Sequence, residues 1–409
     1  MFSADHAAQA AHGPPLCRAR VVIAADKYKG SLSSGEVAEA LTEGLAAELP
    51  GAHVDAVPVA DGGDGSLAVA LACGASPIAV TVANVDGVTR QTHIGVEGSR
   101  AIIEAALVCG LGAGTPDGAA ALRATSRGVG EAILAALDAG ATQIVLATGG
   151  TATSDGGAGM LSALGLRLLD EAGRPVTPGG AGLDQLATID ARGLDDRLRG
   201  IDLILASDVD NPLLGPLGAA SVYGPQKGAG PAEVAALERG IARWVALATN
   251  SGLSPAGPAS APGAGAGGGL GFAALLLGAQ WVSGADYFLD LAGFDKKLRG
   301  ADLVITGEGR LDEQSLRGKA PSIVARRAQS ARVPVRAVAG SCLLTPAQWR
   351  AAGLVAVDTL TSLDPRCEHD AELSRKLLRE VGRRIGLELA AGEAVGALNG
   401  NNPSTLASN

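Results

Sequence analysis

Aromatic residues make up only 2% of this chain, so a core must be built from Ala, Val, Leu and Ile rather than from stacked rings. The five cysteines (Cys17, Cys73, Cys109, Cys342 and Cys367) include no C-x-x-C pair. That argues against a disulfide framework or a zinc ribbon and fits a reducing cytoplasm. The five histidines are scattered, with no H-E-x-x-H or H-x-x-H spacing, which argues against zinc hydrolysis. Basic residues are in deficit: 33 Lys and Arg face 42 Asp and Glu, for a net charge of -9. A nucleic-acid partner is therefore not expected, because phosphate-backbone binding needs a basic face. No run is long and apolar enough to cross a membrane, and residues 1–15 lack the charged start and apolar stretch of a secretory signal. Also missing are the G-x-x-x-x-G-K-[ST] phosphate loop, the protein-kinase motif set and the G-x-S-x-G elbow.

What is present is length, aliphatic bulk and glycine. At 409 residues and 47% hydrophobic, the chain predicts two domains. The apolar run 20–25 predicts a buried strand, followed by a helix over 33–49 opened by a Ser33/Glu36 capping box. A strand at 53–59 and a helix at 66–73 complete a βαβα opening, the mark of a parallel sheet. The texture then changes to a hairpin, 78–82 with 89–95, and a strand at 101–104. Helices at 126–139, 158–165 and 233–250 and strands at 143–148 and 203–206 follow. Residues 252–269, rich in Gly, Ala, Ser and Pro, read as a linker. From 302 onward the opening pattern returns, with strands at 302–306, 335–339 and 354–358 and helices at 321–332 and 371–391. The expected fold is thus α/β with two domains. A Rossmann/flavodoxin-like parallel-sheet domain is built from 18–77 plus 288–391, and an α/β domain with a mixed sheet, 78–287, is inserted in it. Flexible tails are expected at 1–17 and 392–409.

Several loops share one design: a short apolar strand, then Gly with Asp, Lys or Thr, then a helix. They are Asp26–Ser31, Asp61–Gly65, Gly149–Gly157, Asp208–Pro212 and Thr306–Asp312. Ligands of open α/β sheets bind at the carboxyl ends of strands, where helix N-termini favour anions. Glycine lets backbone approach a phosphate closely, and acidic side chains beside it can hold Mg²⁺. Phosphoryl transfer needs positioned phosphates, a metal, cations and a carboxylate to steer the attacking hydroxyl, and these loops supply every one of those residue types. Plainer readings stand beside this one. Gly-Asp loops are often only turns. Asp155 can cap the helix starting near Gly157. Asp208 and Asp210 alternate so as to share a face, or else Asp210-Asn211-Pro212 is an ordinary turn. Lys227 can be a solvated lysine, and Arg310 can pair with Asp312 or Glu308. The segment 263–268 matches G-x-G-x-x-G but follows a Pro-rich stretch instead of a strand, so a dinucleotide site is rejected and a phosphate-facing loop stays open.

Taken in order, the segments AADKYKGSLS (from Ala24), PVADGGDGS (from Pro58), GGTATSDGGAGML (from Gly149), SDVDNPLLG (from Ser207), YGPQKGA (from Tyr223), PGAGAGGGLG (from Pro262) and TGEGRLDEQSLRGK (from Thr306) resemble the type I glycerate kinase family. The likeness runs from about Val21 to Gly340. It departs from the family's usual pattern at Ala25, Lys27, Asp64, Ser154 and Ser207. The resemblance implies ATP- and Mg²⁺-dependent phosphorylation of D-glycerate, on the 2-hydroxyl, in a cleft between two α/β domains, by a cytoplasmic enzyme.

On that resemblance the site residues are as follows. Asp208, Asp210, Lys227 and Arg310 are catalytic candidates. Substrate or phosphate contacts are assigned to Asp26, Lys29, Gly30, Ser31, Asp61, Gly62, Gly63, Thr151, Asp155, Gly156, Asn211, Gln226 and Lys319. Asp208, Asp210, Glu308 and Asp312 are candidates for Mg²⁺. The competing expectations are a kinase for another small hydroxy acid and a metabolite sensor that keeps the fold without turnover.

Overall fold

The computed structural model describes residues 19–28, 30–112, 116–251, 253, 258–316 and 318–392. They form two compact units, one from residues up to Val59 together with Gly293 onward, the other from Ala60 to Ala292. The tails expected at 1–17 and 392–409 lie outside the described residues except for Gly392.

The first unit is built on a five-stranded, wholly parallel sheet. Numbered within the unit, the strands are Arg20–Ala25, His53–Ala56, Leu303–Gly307, Val335–Ala339 and Leu354–Thr359, and their spatial order is 2-1-3-4-5. This is the flavodoxin-like order, whose switch point lies between the first and third strands. Every residue of Leu303–Gly307 and Val335–Ala339 is buried, as strands covered on both faces require. The helix Ser34–Glu48 starts with the expected capping box: Ser33 accepts from the Glu36 N–H while Glu36 reaches back to the Ser33 backbone. Its inner face, with Val37, Leu41 and Leu45, packs with the helix Ala371–Ala390 through Leu378, Val381 and Ile385.

The second unit carries a six-stranded mixed sheet in the order Gln280–Val282, Asp202–Ala206, Gln143–Ala147, Arg100–Glu104, Thr89–Glu97, Ser76–Ala83. The first four strands run parallel, and the last two form the predicted antiparallel hairpin. The core is aliphatic around a small aromatic centre, where Trp244 and Phe272 meet edge to face at 6.0 Å. The units divide at 59/60 and 292/293, whereas the sequence reading divides them at 77/78 and 287/288. Two helices make the difference. Ser66–Ala72 packs on Arg100–Glu104 and Thr89–Glu97, and Gly284–Leu291 packs on Ser66–Ala72, so both join the second unit. The expected linker at 252–269 is corrected over its second half: Ala264, Ala266 and Gly268 are buried in that unit's core. Small residues there permit close packing rather than freedom.

Candidate active site

In the second unit, three parallel strands end side by side: Gln143–Ala147 and Asp202–Ala206 lead into the loops at Gly149 and Asp208, and Gln280–Val282 leads into the helix that starts after Ser283. After Asp202–Ala206 comes Asp208. Its Oδ1 accepts hydrogen bonds from Ser283 Oγ (3.0 Å) and from the Ala285 N–H (3.2 Å), while Oδ2 is buried without a partner. Burial, and then the charge of Asp61, push this carboxyl up to about 7, against those hydrogen bonds. The Asp61 loop is folded tightly on itself and on its neighbours. Asp61 Oδ1 accepts from the Gly63 N–H (3.1 Å), and the Gly62 carbonyl accepts from the Gly149 N–H (3.0 Å). Gly62 has φ +82°, and a Cβ there would lie 2.4 Å from the Ala206 carbonyl oxygen, so only glycine fits.

The Gly149–Gly157 loop, which follows Gln143–Ala147, is held from behind by Lys227. This lysine is buried, and its ammonium donates to the Thr153 carbonyl oxygen at 2.6 Å. Burial lowers it to about 8, with Cys109 and Asp155 opposing. It is not a solvated surface lysine. Thr151 is buried, and its Oγ1 donates to the Thr148 carbonyl. Asp155 uses both oxygens internally. It accepts from the N–H and Oγ of Ser126 (both 2.8 Å) and from the Gly157 and Gly159 N–H groups (3.1 and 3.2 Å). Burial raises its carboxyl, and the hydrogen bonds counter that. Its observed contacts are those of a loop anchor and helix start. The Gly156 carbonyl accepts from Trp244 Nε1 at 3.1 Å. The Gly263–Gly269 segment lies on this loop, with the Gly268 carbonyl accepting from the Gly156 N–H.

Asp208 and Asp210 sit in different environments. Asp210 is exposed, and its charge raises the Tyr223 hydroxyl, second to burial. Asn211 accepts from that hydroxyl (2.7 Å) and donates to the Leu217 carbonyl (2.9 Å), which closes the turn. Gln226 is exposed on the short turn Pro225–Lys227.

In the first unit, the strands flanking the switch point end at Asp26 and Glu308. The Asp26 N–H donates to the Gly307 carbonyl at 2.8 Å. Glu308 is 9% exposed, and its Oε1 is buried without a partner. Burial first, then Asp26 and Asp312, push its carboxyl up to about 7, while Ser315 and Lys319 pull the other way. Asp312 accepts from the N–H groups of Gln314 and Ser315, and Arg310 Nε lies 3.6 Å from its Oδ2. Lys319 sits at the N-cap of the helix Ala320–Ser330. Ser31 Oγ donates to the Tyr28 carbonyl, Gly30 is exposed in a left-handed turn, and Lys29 lies outside the described residues.

Among the described residues, no three His, Cys, Asp or Glu side chains converge as a metal-ligand set. Mg²⁺ takes one or two carboxylates and completes its shell with water and phosphate oxygens. The unpartnered Oε1 of Glu308, with Asp312 acting on it, is a suitable donor. Ser283, Gly284 and Ala285 escape sequence reasoning. They follow Gln280–Val282, a three-residue edge strand too short for periodicity to reveal. The only local signal was Ser283 as an N-cap three residues before Asp286.

Three comparisons bear on this arrangement. The sequence model of the glycerate kinase family matches residues 21–390. Glycerate kinase of Bacillus subtilis (strain 168) is 41% identical over 376 residues, covering 90% of this chain and 98% of its own length. Glycerate 2-kinase of Escherichia coli (strain K12) is 41% identical over 326 residues, covering 79% and 85%. A crystal structure from Salmonella typhimurium LT2, provisionally named glycerate kinase 2, superposes with a TM-score of 0.77 at 38% identity over 92% of this chain and 99% of that one.

Proposed function

The chain belongs to the glycerate kinase family, and from that membership we propose that it transfers the γ-phosphoryl group of ATP to the 2-hydroxyl of D-glycerate, giving 2-phosphoglycerate and ADP. The observation that carries this reading is Asp208: one carboxylate oxygen is fixed by Ser283 and Ala285, and the other is buried without a partner. A carboxyl near pH 7 can take a proton from a hydroxyl at working pH and is largely ionised just above it.

In the proposed step, the glycerate hydroxyl oxygen forms a bond to the γ-phosphorus as the bond to the β–γ bridging oxygen breaks. The hydroxyl proton passes to Asp208 Oδ2, and ADP leaves. Lys227, locked on the Thr153 carbonyl, sets a positive charge behind the Gly149–Gly157 loop, where transferring phosphate oxygens gather charge. Within the first unit, Arg310 and Lys319 are the candidate phosphate contacts. Glu308 and Asp312 would hold Mg²⁺, which neutralises phosphate charge when bound.

A coupled assay with ATP, Mg²⁺ and D-glycerate tests the proposal. Glycerate-dependent ADP whose co-product enolase consumes directly is the expected result. A requirement for phosphoglycerate mutase would move the phosphoryl group to the 3-hydroxyl. No ADP with glycerate, but ADP with lactate or tartrate, would reassign the substrate, and no ADP with any hydroxy acid would leave a sensor.

A further inference from the structure

The start of the helix Gly284–Leu291 touches both Asp208 and the Asp61 loop, although it belongs to none of the glycine-rich or acidic motifs. Ser283 Oγ and the Ala285 N–H both bind Asp208 Oδ1, at 3.0 and 3.2 Å. Between them, Gly284 faces the Asp61 loop. A Cβ on Gly284 would lie 2.2 Å from the Asp61 carbonyl oxygen, 2.4 Å from its carbon and 2.6 Å from the Gly62 nitrogen. These are backbone atoms and cannot swing aside as a side chain would. The loop has no room to retreat either, because a Cβ on Gly62 would meet the Ala206 carbonyl oxygen at 2.4 Å. The Asp61 loop is therefore wedged between the end of Asp202–Ala206 and the start of Gly284–Leu291. Its charge acts on Asp208 from there.

We propose that Gly284 and Ser283 are positioning residues for the phosphoryl transfer: Gly284 sets the distance between the Asp61 loop and Asp208, and Ser283 dictates which oxygen of Asp208 is left to meet the acceptor hydroxyl. This inference rests on Asp208 as the proton acceptor. The plainer roles are tight packing for Gly284 and helix capping for Ser283, which also accepts from the Asp286 N–H at 3.2 Å. Those roles predict lost stability with kcat intact in whatever protein stays folded. Positioning predicts lost kcat with KM for ATP and glycerate nearly unchanged.

The test compares Gly284→Ala, Ser283→Ala and Ser283→Thr in the full chain, with melting curves to confirm folding. Gly284→Ala is expected to lower kcat about 100-fold and Ser283→Ala about tenfold, as misplacement near 1 Å does, while Ser283→Thr keeps its hydroxyl and most of the rate. Combined with Asp61→Asn, Gly284→Ala should add less than about twofold, since neighbours acting through one contact are not additive. Full multiplication of the two losses would overturn the role of Gly284, and wild-type kcat in Ser283→Ala would overturn that of Ser283. A crystal structure of Gly284→Ala supplies the readout independent of turnover. Displacement of Asp61 relative to Asp208 supports positioning, and an unmoved loop sinks it, even where Gly284→Ala is too unstable for kinetics or the Ser283 variants must carry the rates. Inactivity of wild-type protein on glycerate would instead sink the substrate reading and leave the crystallographic result to stand or fall alone.

Discussion

The two units solve the same problem with different means. Each follows a parallel strand with an acid, buried Glu308 in the first unit and half-buried Asp208 in the second, with one buried oxygen lacking a partner and the carboxyl pushed up to about 7. Around Glu308 the opposing influences are a hydrogen bond from Ser315 and then a cation, Lys319, and Arg310 is close by on Asp312. Around Asp208, among the described residues, the influences that favour the ionised form are hydrogen bonds from the Ala285 N–H, Ser283 and the Gly284 N–H. The second unit's lysine, Lys227, is instead buried on a carbonyl. An acid flanked by cations suits metal and phosphate, whose charges are permanent. An acid held by neutral donors suits a proton, whose arrival and departure must both be cheap. On the proposed function, the two acids would then take different roles, Asp208 with the proton and Glu308 with the metal.

The strongest way to break that separation is to neutralise each acid in turn. Asp208→Asn should lower kcat about 10²- to 10⁴-fold without raising KM for ATP. Glu308→Gln should act mainly through the Mg²⁺ requirement, raising the Mg²⁺ concentration for half-maximal rate about tenfold or more. A Mg²⁺ shift in Asp208→Asn and none in Glu308→Gln would exchange the roles. Both substitutions should raise the melting temperature at pH 8. For an acid whose folded-state value is raised, the unfolded chain ionises first, so native stability falls as pH climbs from the ordinary value to about 7. The gain in Asp208→Asn should therefore be absent near pH 4, grow between pH 4 and 7, and level off at about 2–4 kcal/mol. Pairing melts with rates across that window gives both readouts from one preparation.

Next in size is Lys227→Met. Loss of the buried ammonium should reduce kcat about 100-fold, comparable to removing one preorganised donor. An unchanged rate would make Lys227 a packing residue of the Gly149–Gly157 loop. Arg310→Ala should be milder, raising KM for ATP severalfold with little change in melting, because Arg310 is exposed and surface pairs contribute roughly 0–1 kcal/mol. A lost kcat there would move chemistry toward the first unit. Smallest for activity is Ser33→Ala. It removes a helix cap at a cost of about 1 kcal/mol in stability and leaves kcat alone, which sharpens the contrast by showing that destabilising the first unit is not enough to slow transfer.

Much of this was legible in the residues. The strands Arg20–Ala25 and Val335–Ala339 and the Ser33/Glu36 box follow from apolar runs and a capping pattern, and they stand where expected. The flavodoxin-like order was legible as a class, because both chain ends alternate strand and helix. What local pattern cannot show is which surface an amphipathic helix will cover. Ser66–Ala72 has a buried face by its spacing, but its sheet begins with a strand ten residues after the helix starts and belongs to the other unit. Partners far apart in sequence are hidden for the same reason. Asp155 finds Ser126 and Asp208 finds Ser283 across 29 and 75 residues, and neither serine stands out alone. Lys227 could be read either as catalytic or as solvated, because its neighbours, the Thr153 carbonyl and Gly268 of the linker-like Gly263–Gly269 segment, are distant in sequence.

The pairing of Arg20–Ala25 with Leu303–Gly307 has a consequence for how the chain is made. Residue 21 pairs with residue 303, so the first sheet cannot close until more than 280 further residues have left the ribosome. The span 60–292 is continuous in the chain, whereas Arg20–Ala25, paired on one side with His53–Ala56, keeps its other edge open until Leu303–Gly307 emerges. Long-range parallel pairing of this kind is slow to form, and an open strand edge is an aggregation hazard while it waits. Translation speed through the segment that encodes Leu303–Gly307 should therefore govern the yield of active enzyme more strongly than speed through any helix of the inserted unit.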